Sequence, residues 1–226
     1  DAPLTGRHLV LAGFMGAGKS TLGPELARRL GRSFVDLDGE LERVTGAAIA
    51  DLFAERGEAE FRRLEEQLAC NELLHQEPAV VALGGGAVES PATRDALRRR
   101  AFTVLLDVDA DTAWERVRGS DRPLAQDASG FRARFAERQQ LYEEVADGRA
   151  RDADGALLAA AGVHVQTGAL ELLGSLVPGE GPVEIVSDAH VAGIHGIRAQ
   201  VALGVRDLAL HELPAGEEAK ATQVLE

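Results

Sequence analysis

The sequence predicts an α/β fold built on a parallel sheet, and three observations predict it. Short apolar runs alternate with helical patterns along most of the 226 residues. The first run, His8–Ala12, leads through a glycine-rich turn, Gly13–Ser20, straight into a helical pattern. Glycines and carboxylates collect at the C-terminal ends of the runs, at Gly13, Asp36, Asp38 and Gly84–Gly86. That is where open α/β sheets bind their ligands.

Each element follows from its local pattern. His8–Ala12 (HLVLA) is a short apolar run closed by Gly13, as expected of a strand buried on both faces. Leu22, Leu26, Ala27 and Leu30 then recur at helical spacing, and Gly31 suits a helix C-terminus. Ser33–Asp38 (SFVDLD) reads as a second strand, which puts Asp36 and Asp38 on one face at its C-terminal end. Helical patterns follow from about Glu40 to Val44, from Ile49 to Arg56 and from Glu58 to about His75, punctuated by Gly46 and Gly57. A third strand, Ala79–Leu83, runs into Gly84-Gly85-Gly86, and Ser90-Pro91 has the form of an N-cap and first helical residue. A fourth strand, Phe102–Val108, precedes a helix through Trp114. The polar stretch Gly119–Gly130 has the make-up of a lid, and a long helix spans Phe131–Ala146. Gly148–Asp154 (GRARDAD) is too polar for a buried strand, and a last short helix is expected at about Ala156–Ala161.

From Val163 the alternation starts afresh. Strands are expected at Val163–Thr167, Val183–Ser187 and Asp207–Leu213, with a helix at Gly168–Val177 and, after the second strand, a helical segment to about Leu203. This reads as the opening of a second α/β unit.

Composition excludes several classes of function. A net charge of −13 argues against nucleic acid or an anionic membrane as the main partner. No apolar run reaches the ~18–20 residues of a membrane span, and the N-terminus has no signal-peptide pattern. Cys70 is the only cysteine, which excludes an internal disulfide and a thiolate zinc site and fits a reducing cytoplasm.

The chemistry centres on Gly13-Phe14-Met15-Gly16-Ala17-Gly18-Lys19-Ser20, which matches the phosphate-binding pattern G-x-x-x-x-G-K-[ST] between a strand and a helix. The glycines let successive N–H groups curl around one anion, and the helix adds the positive end of its dipole. Lys19 is placed to reach the β- and γ-phosphates, and Ser20 to offer magnesium a hydroxyl. Of the Asp36/Asp38 pair, one carboxylate suits water-mediated magnesium binding and the other an acceptor hydroxyl. Arg122, in the lid-like stretch, suits neutralisation of charge on the γ-phosphate. By composition alone, Arg62 makes a surface i,i+4 pair with Glu66, and Arg138 sits on a charged helix.

Taken together, these motifs resemble shikimate kinase. The resemblance runs from about Leu9 to about Ala146. It rests on Gly13–Ser20, Asp36-Leu37-Asp38, Ile49-Ala50-Asp51-Leu52-Phe53, Gly57-Glu58-x-x-Phe61-Arg62-Arg63-Leu64-Glu65, Leu83-Gly84-Gly85-Gly86-Ala87, Arg122-Pro123-Leu124 and Arg138-x-x-Leu141-Tyr142. It implies a five-stranded parallel sheet of the nucleoside-monophosphate-kinase type over residues 1–160, and transfer of the ATP γ-phosphoryl group to the 3-hydroxyl of shikimate. It implies ATP contacts from Gly16, Ala17, Gly18, Lys19, Ser20, Thr21 and Arg122, and a Mg2+ site at Ser20 and Asp36. Asp38, Lys19 and Arg122 would be catalytic. Asp38 would bind the shikimate hydroxyls, Arg62 and Arg138 its carboxylate, and Gly85 a ring hydroxyl. Arg116 and Arg118 both stand open as the adenine contact. Gluconate, another carboxylated polyol, is the nearest rival acceptor.

Residues 161–226 resemble the beginning of 3-dehydroquinate synthase, on Val183–Asp188 (VEIVSD) and Leu213-Pro214-Ala215-Gly216-Glu217-Glu218-Ala219-Lys220. The resemblance implies an incomplete unit fused to the kinase and able to contact a missing synthase portion. NAD and zinc would belong only to a complete synthase.

Overall fold

The computed structural model describes residues 4, 6–120, 123–161, 170, 173–177, 181–204 and 207–214. These divide into two units, Asp1–His164 and Val165–Glu226.

In the first unit, strand β1 (His8–Ala12) is buried at every position. Its side chains alternate between two cores. Val10 and Ala12 pack with Val81, Leu105 and Leu73 on one side. Leu9 and Leu11 pack with Leu26, Val104 and Ala156 on the other. A strand walled on both faces needs apolar residues at odd and even positions alike, which is the pattern of HLVLA. Helix α1 (Lys19–Leu30) follows and ends on Gly31, whose left-handed φ of 63° lets its N–H bond back to the helix.

Strand β2 (Phe34–Asp36) is shorter than its sequence suggests. The Asp36 carboxylate accepts from the Asp38 N–H at 3.1 Å and caps α2 (Leu37–Thr45). Asp38 therefore stands in the first turn of a helix and does not share a strand face with Asp36. A local aspartate cap competes with strand pairing for the same backbone, and here the cap prevails.

Helix α2 closes on Gly46 at φ 69°. Helix α3 (Ile49–Leu73) is broken at the expected place by Gly57, with φ 76° and ψ 167°. Strand β3 (Val80–Ala82) leads through the glycine run to a 3-10 turn, Ala87–Glu89. Helix α4 (Pro91–Arg100) then starts under the Ser90 cap, with Pro91 at its N-terminus. Strand β4 (Ala101–Leu106) and helix α5 (Ala110–Val117) follow. Asp127 caps α6 (Ala128–Val145), so this helix starts ahead of the apolar Phe131. Of the lid-like stretch, Pro123–Ala125 forms a 3-10 turn, while Asp121 and Arg122 lie outside the described residues.

The polar segment after α6 does form a strand, β5 (Gly148–Ala150), contrary to its composition. It pairs in parallel with β4, Gly148 opposite Val104 and Ala150 opposite Leu106. It stands at the edge of a five-stranded parallel sheet ordered β2-β3-β1-β4-β5. An edge strand of this length buries only Gly148 and Ala150, and Arg149 between them pairs with Asp107 and Glu143. Helix α7 (Ala153–Ala160) completes the unit.

In the second unit a short helix, α8 (Leu173–Leu176), precedes strand β6 (Val183–Asp188), helix α9 (Ala189–Leu203) and strand β7 (Leu208–Leu213). The two strands pair in parallel from Val183–Leu208 to Asp188–Leu213. The expected strand Val163–Thr167, most of the expected helix 168–177 and the loop from Ala215 onward lie outside the described residues.

His8 ties the start of the sheet together. Its ring Nδ1 accepts from the Ala79 N–H at 3.1 Å, which leaves the proton on Nε2, 3.2 Å from the His75 carbonyl. Burial pushes its pKa below the usual 6.5, against the pull of that carbonyl. The unfolded chain takes up a proton near pH 6.5 while the folded ring resists it. The His8 contribution is therefore fully present above that pH and is lost as the pH falls through it. The urea midpoint should decline from pH 7 toward pH 5 and decline less in His8→Asn, whose amide oxygen replaces the acceptor. Equal pH slopes for the two proteins would exclude His8 as the source.

The phosphate-loop glycines also make a testable demand. Gly16 has φ 85°, and a Cβ there would stand 2.6 Å from the Ala113 carbonyl oxygen. Gly16→Ala should cost about 1–3 kcal/mol in urea unfolding, combining left-handed strain with the clash. Gly39, inside α2 with open space around it, should instead gain up to ~1 kcal/mol on Gly39→Ala. Equal effects at the two positions would show that local space and φ do not govern this loop.

Candidate active site

The glycine-rich turn between β1 and α1 has the form an anion requires. Gly18 is the N-cap of α1 at φ 99°, and no side chain caps the helix. The start of α1 thus turns the positive end of the helix dipole toward the turn, where an anion is favoured. Lys19 curls back over its own loop, donating to the carbonyls of Gly13 at 2.6 Å and Phe14 at 3.1 Å. Arg116, from α5, donates to the Gly16 carbonyl at 2.8 Å, whereas Arg118 pairs with Glu115 at 2.9 Å. Of the two arginines left open by sequence, Arg116 is the one that meets the phosphate loop.

Beside the turn lies a cavity of about 280 Å3, lined among others by Met15, Asp38, Arg62, Glu65, Gly85 and Arg138. Pro123 and Leu124, next to the undescribed Arg122, also line it. Asp38, Arg62, Gly85 and Arg138 were expected together and the fold brings them together, from α2, α3, the glycine run and α6.

Their surroundings differ from a surface reading. Arg62 does not pair with Glu66, whose carboxylate instead accepts from the Ser90 hydroxyl at 2.5 Å. It donates to Glu65 at 2.6 Å and Glu58 at 3.1 Å. Burial disfavours its charge, but the carboxylates, Glu65 foremost, outweigh that and raise its pKa. Arg138 is only 3% exposed, the opposite of a solvated helix face. It donates to Glu89 at 2.7 Å and to the Gly85 carbonyl at 3.3 Å, and lies over the Phe14 ring, 5.5 Å from the centroid. Burying a guanidinium is tolerable only with such partners; removing one typically costs about 3–5 kcal/mol.

Two residues of the site, quoted only as parts of motifs, were given no role by sequence reasoning. Glu65 is 5% exposed, and burial pushes its carboxyl pKa up, opposed by Arg62. Its i,i+3 spacing from Arg62 was the available signal. The Tyr142 hydroxyl donates to the Gly85 carbonyl at 2.5 Å, and burial drives its pKa well above the usual value. Tyr142 and Arg138 together fix the glycine run. A Cβ at Gly84 would push the Glu65 carboxylate aside and one at Gly86 the Arg62 guanidinium, so the missing side chains leave room for the two charged groups.

Ser20 and Asp36 are hard oxygen donors of the kind Mg2+ accepts. Among the described residues no cluster of three or more His, Cys, Asp or Glu could hold a metal. Magnesium bound through phosphates and water needs none, so the residues present fit it. Among the described residues no helix is long and apolar enough to cross a membrane.

A sequence model of the shikimate kinase family matches residues 15–161. The shikimate kinase of Aromatoleum aromaticum is 46% identical over 144 residues, covering 62% of this chain and 81% of its own. That of Geobacter metallireducens is 42% identical over 148 residues, covering 64% and 82%. Among solved structures, shikimate kinase from Acinetobacter baumannii in complex with shikimate superposes with a TM-score of 0.63 at 35% identity, covering 67% of this chain and 89% of that one. Shikimate kinase from Aquifex aeolicus gives a TM-score of 0.59 at 28% identity, covering 76% and 99%. By the length of the match, which takes in Lys19, Arg62 and Arg138, the chain belongs to the shikimate kinase family.

Proposed function

We propose that this protein transfers the γ-phosphoryl group of ATP to the 3-hydroxyl of shikimate, giving shikimate 3-phosphate and ADP. The observation that carries the reading is the convergence of Arg62 and Arg138 on the cavity that also holds Asp38 and borders the phosphate loop at Met15. A small polyol with one carboxylate matches that set, because guanidinium forks grip a carboxylate in a way lysine cannot.

In this reading Gly16, Ala17, Gly18, Ser20 and Thr21 form the cradle for the phosphates, the Ala17 and Thr21 N–H groups holding its curl by donating to the Phe14 and Gly18 carbonyls at 3.1 Å, and Lys19 follows the γ-phosphoryl group. Ser20 and Asp36 would hold Mg2+, Asp36 through water; when bound, the ion neutralises charge on the phosphates. Arg62 and Arg138 orient the acceptor by its carboxylate. The Gly85 carbonyl already accepts from Tyr142 and Arg138, so its N–H is the group for a ring hydroxyl. Asp38 faces the acceptor hydroxyl and takes its proton as the new oxygen–phosphorus bond forms and the bond to the β-phosphate oxygen breaks. Phosphoryl transfer asks mainly for position and charge neutralisation, and a weakly basic carboxylate suffices. Arg122 completes the phosphate contacts, an assignment supported by its neighbours Pro123 and Leu124 on the cavity wall. A cytoplasmic setting is part of the same reading, and rests on the single cysteine.

We also read residues 161–226 as a segment related to the start of 3-dehydroquinate synthase, able to contact a synthase portion. NAD and zinc would enter only with that portion. The β6–α9–β7 unit with parallel strands supports this reading, as does a kinase match that stops at residue 161.

Acceptor-dependent ADP release with Mg-ATP tests the main reading. Shikimate should support turnover and gluconate should not; Lys19→Ala should lose at least about a hundredfold in kcat. Arg62→Ala should raise the shikimate KM at least tenfold, a loss of about 1.4 kcal/mol or more. An Arg62→Ala protein with unchanged affinity for shikimate would remove the carboxylate pocket from this cavity. Deleting residues 165–226 should leave kcat within about twofold, and a collapse would mean that the tail completes the kinase.

A further inference from the structure

One face of α6 braces both loops that border the cavity. Phe131, Phe135, Arg138 and Tyr142 follow one another at i, i+4, i+7 and i+11, so they share that face. The two phenylalanines pack edge-on against Phe14 of the phosphate loop, with ring centroids 4.9 and 5.2 Å away. Arg138 and Tyr142 reach the glycine run, and both donate to the Gly85 carbonyl. Tyr142 makes the shorter contact, 2.5 Å against 3.3 Å, and Arg138 divides its donors between this carbonyl and Glu89.

Three glycines in a row have no side chains to pack, so the peptide planes of this run turn easily unless something outside the run holds them. Gly85 lines the cavity, and a Cβ built on it would stand 3.4 Å from the backbone nitrogen of Met15 in the phosphate loop. A turn of the Gly85 backbone would therefore alter both the cavity wall and its fit against the phosphate loop. A carbonyl can only accept, so the Tyr142 hydroxyl is the donor, and burial keeps its proton in place. Tyr142 is buried and is not among the described residues that line the cavity, so its influence on a ligand passes through Gly85.

We propose that Tyr142 is a positioning residue for the acceptor: its hydroxyl pins the Gly85 carbonyl toward α6 and keeps the Gly85 backbone in place to offer its N–H to a ring hydroxyl. The proposal rests on the reading of this cavity as the shikimate site. Tyr142 serves the hydroxyl side of the acceptor, whereas Arg62 and Arg138 serve its carboxylate. Loss of the pin falls on acceptor affinity and spares the nucleotide.

The test is steady-state kinetics of the full chain and of Tyr142→Phe, which keeps the ring and removes only the hydroxyl. Wild-type turnover is measured first. No shikimate-dependent ADP release there overturns the functional reading, and this proposal with it. Given turnover, Tyr142→Phe should raise the shikimate KM about three- to tenfold, the scale of one hydrogen bond, and leave the ATP KM within about twofold. Cyclohexenecarboxylate has the ring and carboxylate of shikimate but no hydroxyl for Gly85 to hold. Its inhibition constant should be the same for the two proteins. An unchanged shikimate KM, or an equal rise in the KM for shikimate and for ATP, overturns the positioning role alone. So does an equal loss of affinity for shikimate and for the hydroxyl-free analogue. Tyr142 is the only tyrosine of the chain, so fluorotyrosine labels it alone. Should Tyr142→Phe fail to fold, the fluorine resonance of the labelled wild-type chain should move with shikimate and hold still with the analogue. A resonance that ignores shikimate, or follows both compounds equally, overturns the role as well.

Discussion

Most of what this molecule can do depends on the backbone between β1 and α1. Strand β1 is buried on both faces of the sheet, which holds its C-terminal end rigidly. Helix α1 begins without a side-chain cap, so the positive end of its dipole is open to the turn. An uncapped helix start is costly unless a ligand or water satisfies it. Here the cost is accepted at the one place where an anion meets the dipole and Lys19 together. The surrounding elements are arranged to keep that turn curled: Arg116 holds the Gly16 carbonyl, and α5 approaches so closely that only glycine fits there.

The second constraint is electrostatic. The cavity beside the turn brings Arg62 and Arg138 together, and neither is solvated enough to stand alone. Glu65, Glu58 and Glu89 supply the opposing charge, and Asp38 adds to the negative side near Glu65. The glycine run is the hinge of the arrangement. Its carbonyl at Gly85 is pinned by Tyr142 and Arg138, and its missing side chains at Gly84 and Gly86 admit Glu65 and Arg62.

Features that depend on local backbone were legible in the sequence. The phosphate turn, the Gly31 and Gly46 helix ends, the break at Gly57 and the Ser90-Pro91 helix start each state a demand that nearby residues meet. Two local readings failed because a competing local preference prevailed. Asp36 caps a helix where a strand pattern seemed to continue, so Asp38 left the strand. Polar β5 forms because an edge strand of three residues needs only Gly148 and Ala150 inside.

Sequence alone determined the sheet class and the nucleotide loop, because spacing along the chain carries those directly, whereas the set Asp38, Arg62, Gly85 and Arg138 was implied by the resemblance to shikimate kinase. Tertiary structure alone decided the partners. Glu89 meets Arg138 across 49 positions, and Tyr142 meets Gly85 across 57. Whether an arginine on an ordinary charged helix is solvated or buried in an ion network depends on what packs above it. That is set by how β1, the glycine run and α6 come together, and no local pattern encodes it.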